Sequence, residues 1–340
     1  MGRTCLVCVD FWKKFICSLF VVVVLQSGMV FNTEVFELNN KCSYTMNKII
    51  LTCVGLEVVD NSLEPFVTNS TQILILKNCK NITLAEDAIF HNKHPNLKTC
   101  QIISSLSLAL SKNAFFGLDN LKYLQLNKNP WKEIPENTFK DLSDLEVLNV
   151  ADNKIKLLNK KSFANLFRLK SLDLSQNSLE TLPSYVFENL MELESLYLNE
   201  NKIQIIDEHT FWGLPALNIL FLTKNNLETI DCEVFNNLRN LEYLYLDYNN
   251  ITYISGELRL SKLRFLQLNN NNLTNLPDKV FEKSSNLISI DLSHNKLENL
   301  SEIPFLKLTG LRHLNLYGNH VYMDMFNSLK NSTFITHDYH

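Results

Sequence analysis

Cysteine is the residue type in this chain with the widest range of possible chemistry, because thiols bind metals, act as nucleophiles and form disulfides. Three of the eight cysteines fall in the first 17 residues, where Cys5 and Cys8 form the C-x-x-C spacing of metal and redox sites. The other five are Cys42, Cys53, Cys79, Cys100 and Cys232. In an oxidising compartment, an odd number implies at least one free thiol or an intermolecular bridge.

The spacings of acids, bases and nucleophiles that are typical of enzymes do not occur. The sequence has no H-E-x-x-H and no G-x-S-x-G, and its 8 glycines never form a phosphate-binding loop. The pair Glu208 and His209 falls at positions that are polar in the neighbouring repeats described below. His337 and His340 are interpreted as solvated residues rather than metal ligands. We therefore predict a non-enzymatic protein without metal or cofactor.

Charge and sequons bear on the partners and the compartment. With 32 Lys+Arg against 36 Asp+Glu, the net charge is -4, so there is no basic excess to hold a phosphate backbone and nucleic acid is not expected as a partner. Six N-x-[ST] sequons are candidate glycosylation sites, a number close to chance. They are Asn69, Asn81, Asn250, Asn272, Asn299 and Asn331.

The amino terminus, residues 1–28, has the pattern of an export signal. Basic residues precede the apolar run Phe15–Leu25, and the small residues Ser27 and Gly28 follow it. The run is too short for a comfortable membrane span, so we expect its removal, with a retained signal anchor as the alternative. The C-x-x-C pattern is then a chance feature of the signal. No second long apolar stretch follows, which predicts a secreted, extracellular chain with no membrane span.

Two residue types recur at a fixed spacing along the chain, and we call each set of equivalent positions a column. These columns indicate the repeated elements that must position any site. The asparagine column is Asn129, Asn153, Asn177, Asn201, Asn225, Asn249, Asn271, Asn295 and Asn319. The phenylalanine column, ten residues later, is Phe115, Phe139, Phe163, Phe187, Phe211, Phe235, Phe281 and Phe305. The spacing is 24 residues except for one 22-residue unit, where Arg259 stands at the phenylalanine position. Repeats of this length indicate a stack of coils that share one continuous core.

The repeated phrase resembles the leucine-rich repeat family, in its extracellular 24-residue class. Its clearest copies are Leu169-x-x-Leu172-x-Leu174-x-x-Asn177-x-Leu179 and Leu193-x-x-Leu196-x-Leu198-x-x-Asn201-x-Ile203. The resemblance implies an α/β solenoid, a horseshoe with a parallel β-sheet on its concave face and irregular or short helical convex segments. We place about 10–11 coils in residues 71–329, between an amino-terminal cap at 29–70 and a tail at 330–340 without a cysteine cap.

The resemblance also bears on the cysteines. Cys42 and Cys53 are similar to a reduced form of the cysteine-bearing cap of secreted repeat proteins, which implies a disulfide between them. Cys79 and Cys100 are either two buried thiols or a second bridge. Cys232 takes a position that is polar in other coils, which predicts an exposed thiol. That thiol either forms an intermolecular disulfide, giving a homo- or heterodimer, or stays shielded without consequence.

Strand residues between the leucines must point to the concave face, and there three successive coils carry aromatic residues. The middle column is Gln125, Asn149, Asp173, Tyr197, Phe221, Tyr245, Gln267, Asp291 and Asn315. Flanking aromatic residues are Tyr243, Tyr248 and Phe265. The patch is rimmed by Asp173, Glu200, Asp247 and Asp291. Such a surface is typical of protein-binding sites, although aromatic residues are also tolerated here as ordinary strand residues.

The chain is most similar to insect secreted leucine-rich repeat proteins and to ectodomains of Toll-type receptors. The resemblance implies a protein or glycoprotein ligand, bound at the concave face in innate-immune recognition or cell-surface interaction. One alternative is a structural extracellular-matrix or adhesion protein that assembles through its uncapped end and Cys232. Another is a truncated ectodomain of a membrane receptor.

Overall fold

A computed structural model describes residues 34–36, 41–84, 94–111, 114–298, 300–322, 326, 329 and 334–337. The expected export signal, residues 1–28, lies outside this part of the chain, as do two of the sequon asparagines, Asn299 and Asn331.

The described residues form twenty strands and three short 3-10 helices. The strands are β1 (Glu34–Phe36), β2 (Cys42–Thr45), β3 (Ile50–Val54), β4 (Val58–Val59), β5 (Ile73–Lys77), β6 (Asn81–Leu84), β7 (Thr99–Ile103), β8 (Ser107–Leu110), β9 (Tyr123–Gln125), β10 (Val147–Asn149), β11 (Ser171–Asp173), β12 (Ser195–Tyr197), β13 (Ile219–Phe221), β14 (Thr229–Asp231), β15 (Tyr243–Tyr245), β16 (Tyr253–Ser255), β17 (Phe265–Gln267), β18 (Ser289–Asp291), β19 (His313–Asn315) and β20 (Phe334–Thr336). The helices are η1 (Asn61–Phe66), η2 (Cys232–Phe235) and η3 (Ile303–Phe305).

Fifteen of these strands form one sheet, in the order β1-β2-β3-β5-β7-β9-β10-β11-β12-β13-β15-β17-β18-β19-β20. The pairs β1–β2 and β2–β3 are antiparallel, and from β3 onward each strand pairs in parallel with the next. Smaller sheets, β4-β6-β8 and β14-β16, form elsewhere on the coils. The structure confirms the predicted solenoid with a parallel sheet. The described residues contain little helix, and all of it is 3-10.

From β9 to β19, each strand of the main sheet buries its central residue and leaves its two neighbours largely half exposed. Leu172, Leu196 and Leu220 are fully buried, and one strand after another repeats this pattern. Strand side chains alternate, so the neighbours lie on the face away from the core. We call this surface the open face; it is the face that the sequence predicted to be concave.

The asparagine column ties each coil to its neighbours by buried hydrogen bonds. The Nδ2 of Asn201 donates to the carbonyls of Leu174 and Leu198, at 3.0 and 3.1 Å. Its Oδ1 accepts from the backbone N–H of Leu179 at 3.0 Å. The same three bonds recur at Asn177. An amide side chain suits this position because it carries a donor and an acceptor and satisfies backbone groups that the turn leaves open.

The phenylalanine column forms a stack of rings behind the sheet. The rings of Phe187 and Phe211 lie 6.4 Å apart, and those of Phe211 and Phe235 lie 5.9 Å apart. The 22-residue coil interrupts the stack. There Arg259 is exposed and pairs with Glu257, while two leucines, Leu258 and Leu260, are buried. A small apolar cavity is lined by residues from both sides of the interruption, including Phe235 and Phe281.

A hairpin of β2 and β3 precedes the first parallel strands. A disulfide joins Cys42 to Cys53, the pair that the resemblance implied, and these residues are direct partners in the hairpin. The hydroxyl of Tyr44 donates to the carbonyl of Phe66 at the end of η1. Because β3 pairs in parallel with β5, the hairpin continues the main sheet and shields the end of its core.

Cys232 is buried, and the prediction of an exposed thiol is wrong. Its exposure is 2%, whereas Lys160 and Glu208, at the equivalent positions of other coils, are exposed. The reason is local. In this coil the segment folds into η2, which buries Cys232 together with Phe235.

Two contacts hold this arrangement. The carboxylate of Asp231 caps η2 by accepting from the N–H of Glu233 at 3.0 Å. Gly256 lies beside this residue, because a Cβ at that glycine would lie 3.7 Å from the Cβ of Cys232. Burial raises the pKa of the Cys232 thiol to about 12, so the thiol stays protonated at neutral pH. An intermolecular disulfide would require this coil to open.

Cys79 and Cys100 are two free, buried thiols, which answers the question that the sequence left open. Cys79 stands at the asparagine position of its coil, and its Sγ lies 3.5 Å from the carbonyl of Lys77. Cys100 lies in β7, where its Cα partners Leu74 across the sheet. Burial raises the pKa of both thiols, that of Cys100 to about 12.

Candidate binding surface

The aromatic residues singled out in the sequence come together on the open face in two ladders. The middle ladder consists of Tyr197, Phe221 and Tyr245, which are direct partners across β12, β13 and β15. Ring centroids lie 5.1 Å apart between Tyr197 and Phe221, and 4.3 Å apart between Phe221 and Tyr245. Both pairs are stacked, with interplanar angles of 15° and 9°. The parallel register therefore turns a sequence period into a continuous column of rings.

The side ladder consists of Tyr243 and Phe265, partners across β15 and β17. Their centroids are 5.0 Å apart and their planes are almost parallel, at 2°. The guanidinium carbon of Arg264 lies 5.8 Å from the ring centroid of Phe265. Tyr248 follows the middle ladder in the loop after β15 and is 51% exposed. These residues extend the aromatic surface beyond the three central rings.

Exposure differs along the middle ladder. Phe221 and Tyr245 are half-buried, but Tyr197 exposes only 9% of its surface. Burial raises the pKa of the Tyr197 hydroxyl, which hydrogen-bonds Ser195. Of the three rings, Phe221 and Tyr245 thus offer the larger contact area to a partner.

Aspartates lie at both ends of the middle ladder and beside it. Asp173 is the partner of Tyr197 in β11, and its Oδ1 accepts from the N–H of Ser175 at 2.9 Å. Asp247 follows Tyr245 by two residues and accepts from the hydroxyl of Thr223 at 2.7 Å. Burial raises the pKa of both carboxyl groups against these hydrogen bonds, which favour the charged form. Their charges are therefore only partly solvated.

A second aromatic cluster, away from the open face, was not predicted from the sequence. Tyr185, His209 and Trp212 have ring centroids 4.9 to 6.4 Å apart, and the Nζ of Lys160 lies 4.9 Å from the centroid of Tyr185. Trp212 is 50% exposed. Tyr185 and His209 both precede a column phenylalanine by two residues, which is the sequence signal that would have paired them. The cluster holds no aligned acid, base and nucleophile.

Sequon asparagines on the described residues lie at the surface to different degrees. Asn69, Asn81 and Asn250 are exposed, and Asn272 is half-buried. Asn250 directly follows Asn249 of the asparagine column, so a glycan there would project from the turn and not from the strands of the open face. Their glycosylation stays a prediction.

The open face offers stacking, hydrogen bonding and negative charge. In the described part of the chain, no group of three or more His, Cys, Asp and Glu could hold a metal ion. Across the same residues, no helix combines the length and apolar character that a membrane crossing needs. A surface of this kind is suited to recognition of another macromolecule.

A sequence model described as leucine rich repeat matches residues 120–179, 167–227, 216–268 and 261–321, which together make up more than half of the chain. No curated protein matches the sequence significantly.

Solved structures share the fold at low sequence identity. A leucine-rich repeat protein of Leptospira interrogans is 23% identical, with a TM-score of 0.63 over 84% of this chain and 76% of that one. The leucine-rich repeat part of FLRT2, in a complex with latrophilin 3 and Unc5D, is 22% identical, with a TM-score of 0.67 over 79% and 84%.

Toll of Drosophila, in complex with Spatzle, is 19% identical, with a TM-score of 0.59 over 88% of this chain and 49% of Toll. The repeat phrase, the asparagine ladder and the matched residues agree with one another. This chain belongs to the leucine-rich repeat family.

Proposed function

We propose that the protein is a secreted, non-enzymatic leucine-rich repeat module that binds a protein or glycoprotein ligand through its open face, in innate-immune recognition or cell-surface interaction. The observation that carries the proposal is the pair of stacked ladders, Tyr197–Phe221–Tyr245 and Tyr243–Phe265, on a sheet face that the described residues leave uncovered. Aromatic residues held rigidly by neighbours bind with little loss of conformational entropy and are enriched among interface hot spots.

Related architectures support the class of partner. FLRT2 occurs in a complex with the proteins latrophilin 3 and Unc5D. The Toll–Spatzle complex is a hub in Drosophila development and innate immunity. With the signal-like residues 1–28 and the cap disulfide, these likenesses favour an extracellular binding role. Burial of Cys232 disfavours assembly as a matrix protein through that thiol, one of the two contacts that this alternative uses.

The test replaces aromatic residues of the middle ladder with glutamine, a residue type that occurs elsewhere in the same column. Phe221→Gln and Tyr245→Gln suit this purpose, because Gln125 and Gln267 occupy the equivalent strand positions. The matched control is Phe167→Gln, an exposed phenylalanine outside the strands of the sheet. The proteins are expressed with residues 1–28 in cultured cells, purified from the medium and applied to cells of the source tissue, with binding measured by flow cytometry.

We expect secretion of all variants, with trimming near residue 28, and loss of cell binding by at least about tenfold for the ladder variants, equivalent to about 1.4 kcal/mol. The Phe167→Gln control should bind like the unmodified protein. Unchanged binding by folded ladder variants would overturn the role of the open face. Retention of the chain inside cells would overturn secretion.

A further inference from the structure

The open face has an unusual charge composition. Its first outward column is Tyr123, Val147, Ser171, Ser195, Ile219, Tyr243, Phe265, Ser289 and His313. Its third is Asn127, Ala151, Ser175, Asn199, Thr223, Asp247, Asn269, Ser293 and Tyr317. Together with the middle column given above, these 27 positions contain three aspartates, one histidine and no lysine or arginine. The surface of the coils from β9 to β19 is thus aromatic and acidic.

The aspartates are placed to act together with the rings. Along the middle column, Asp173 stands one strand before Tyr197, and Asp291 stands two strands after Tyr245. The two carboxylates are five strands apart, about 24 Å at about 4.8 Å per strand, and the three rings lie between them. Asp247 lies beside the ladder in its last ring-bearing coil. A ligand that covers the rings therefore meets negative charge at both ends and on one side.

The hydrogen bonds of these aspartates come from neutral groups. Asp173 accepts from Ser175, and Asp247 accepts from Thr223. Asp291 accepts from Ser293 at 2.6 Å and from the side-chain amide of Asn315 at 3.1 Å. Among the described residues, none of the three carboxylates forms an ion pair.

The nearest cation beside Asp247 belongs to another pair. Burial raises the pKa of Asp247, and the charge of Lys224 opposes this shift, but the Nζ of this lysine lies 3.4 Å from Glu200. The negative charge of the open face is thus left largely uncompensated by the chain itself, and charge complementarity calls for a basic partner.

Beside this face, Arg264 shows how a guanidinium group would be held. Arg264 places its guanidinium carbon 5.8 Å from the ring centroid of Phe265, and its Nη1 lies 3.5 Å from Glu242. The cation is thus held by a ring and a carboxylate at once. The middle ladder has the same two components, with the rings of Phe221 and Tyr245 beside Asp247, but no cation of its own in the outward columns. Arginine suits such a position because its planar group stacks on rings and binds carboxylates.

We propose that the open face selects a basic protein segment, in which arginine side chains contact Asp173 and Asp247 while apolar side chains pack on the ladder between them. The proposal rests on the proposed function, since it names the chemistry of the ligand for that same face. It makes recognition electrostatic at Asp173 and Asp247 and hydrophobic at the rings of the ladder.

The probe is a fluorescein-labelled peptide with arginines on both sides of a Leu-Trp-Leu centre. Its matched control has citrulline, a neutral isostere, in place of each arginine, and a third peptide has glutamate there. Fluorescence anisotropy is measured with the full secreted protein. We expect the arginine peptide to bind at least about tenfold more tightly than the citrulline peptide. This preference should shrink as the ionic strength rises from about 0.05 M to about 0.5 M.

The protein variant that tests the site is Asp173→Asn with Asp247→Asn. Asparagine should fold at both positions, because Asn149 and Asn199 occupy the same columns, and the Oδ1 of Asn149 accepts from the N–H of Ala151 as Asp173 does from Ser175. The control is Asp119→Asn with Asp278→Asn, which removes the same charge from exposed residues outside the sheet.

We expect the site variant to lose the arginine preference and the control variant to keep it. Equal binding of arginine and citrulline peptides, preference for the glutamate peptide, absence of binding by the arginine peptide, or a preference that survives in the site variant would each overturn the inference. Phe221→Gln separates the two proposals. If that variant loses cell binding while the peptides show no charge preference, the open face binds a partner of different chemistry and the proposed function stands.

Discussion

At the scale of single residues, the asparagine column performs a task that no apolar residue can perform. Asn201 satisfies the carbonyls of Leu174 and Leu198 and the N–H of Leu179, all inside the core. The spacing identified the column in the sequence, and the structure shows which backbone groups its amides bind. Cys79 stands in this column near the cap, and its Sγ contacts the carbonyl of Lys77.

Asn201→Ala should therefore lower the free energy of unfolding by about 3 kcal/mol, because each lost bond costs about 1 kcal/mol and leaves buried backbone groups unsatisfied. Asn199→Ala, two residues earlier on the open face, is the matched control and should change it by less than about 1 kcal/mol. Urea denaturation followed by circular dichroism measures both. Equal effects of the two substitutions would show that the hydrogen bonds of the asparagine column contribute little net stability.

His94 links stability to pH. It is buried at 6% exposure, and desolvation lowers its pKa from the ordinary value of 6.5, opposed by the charge of Glu64. Between 6.5 and the lowered value, the unfolded chain binds a proton that the folded chain does not bind. Stability therefore falls as the pH drops below 6.5 through this window.

We expect His94→Asn to show a smaller loss of stability than the unmodified protein between about pH 7.5 and about pH 5. The comparison of the two proteins removes the contribution of Asp173 and Asp247, whose raised pKa values act with opposite sign at lower pH. Denaturation midpoints at both pH values give the answer. A parallel pH dependence in the two proteins would remove His94 as the cause.

At the scale of elements, the sequence predicted the regular coils correctly, but it did not predict the path of the coil that contains Cys232. Columns with a 24-residue period located the strands and their buried leucines. The prediction for Cys232 was wrong because it transferred the exposure of Lys160 and Glu208 to a coil in which the segment forms η2 and meets Gly256. Residues of one column share the same exposure only where the backbones of their coils follow the same path.

The 22-residue coil also leaves a gap in the packing of the core. Phe235 and Phe281 have no ring between them, and a small apolar cavity lies beside Leu258. We expect amide hydrogens of residues 251–263 to exchange faster than those of residues 203–215, since exchange reports the free energy of local opening. Hydrogen exchange with mass spectrometry resolves the two segments. Equal or stronger protection of residues 251–263 would mean that the leucines replace the missing ring fully.

At the scale of the whole molecule, the sequence predicted the solenoid, the sheet and the residues of the ladders. All three depend on the repeat period and on the alternation of side chains along a strand. The sequence did not predict the low exposure of Tyr197 or the cluster of Tyr185, His209 and Trp212. Burial of Tyr197 depends on how closely neighbouring strands stack their side chains. Tyr185 and His209 share a column, but Trp212 belongs to another, and a period does not indicate contacts between different columns.

The register of the main sheet has a consequence for engineering. Tyr243 partners Phe265, and Phe265 partners Ser289, although the coil between the first two is two residues shorter than its neighbours. The difference in length is absorbed entirely on the far side of the coil, and the strands stay aligned. Loop grafts, affinity handles or fluorophores can thus be built into exposed positions of those far segments, away from the buried residues, while the open face keeps its spacing. The open face thus keeps one strand spacing, while the far segments of the coils differ in length.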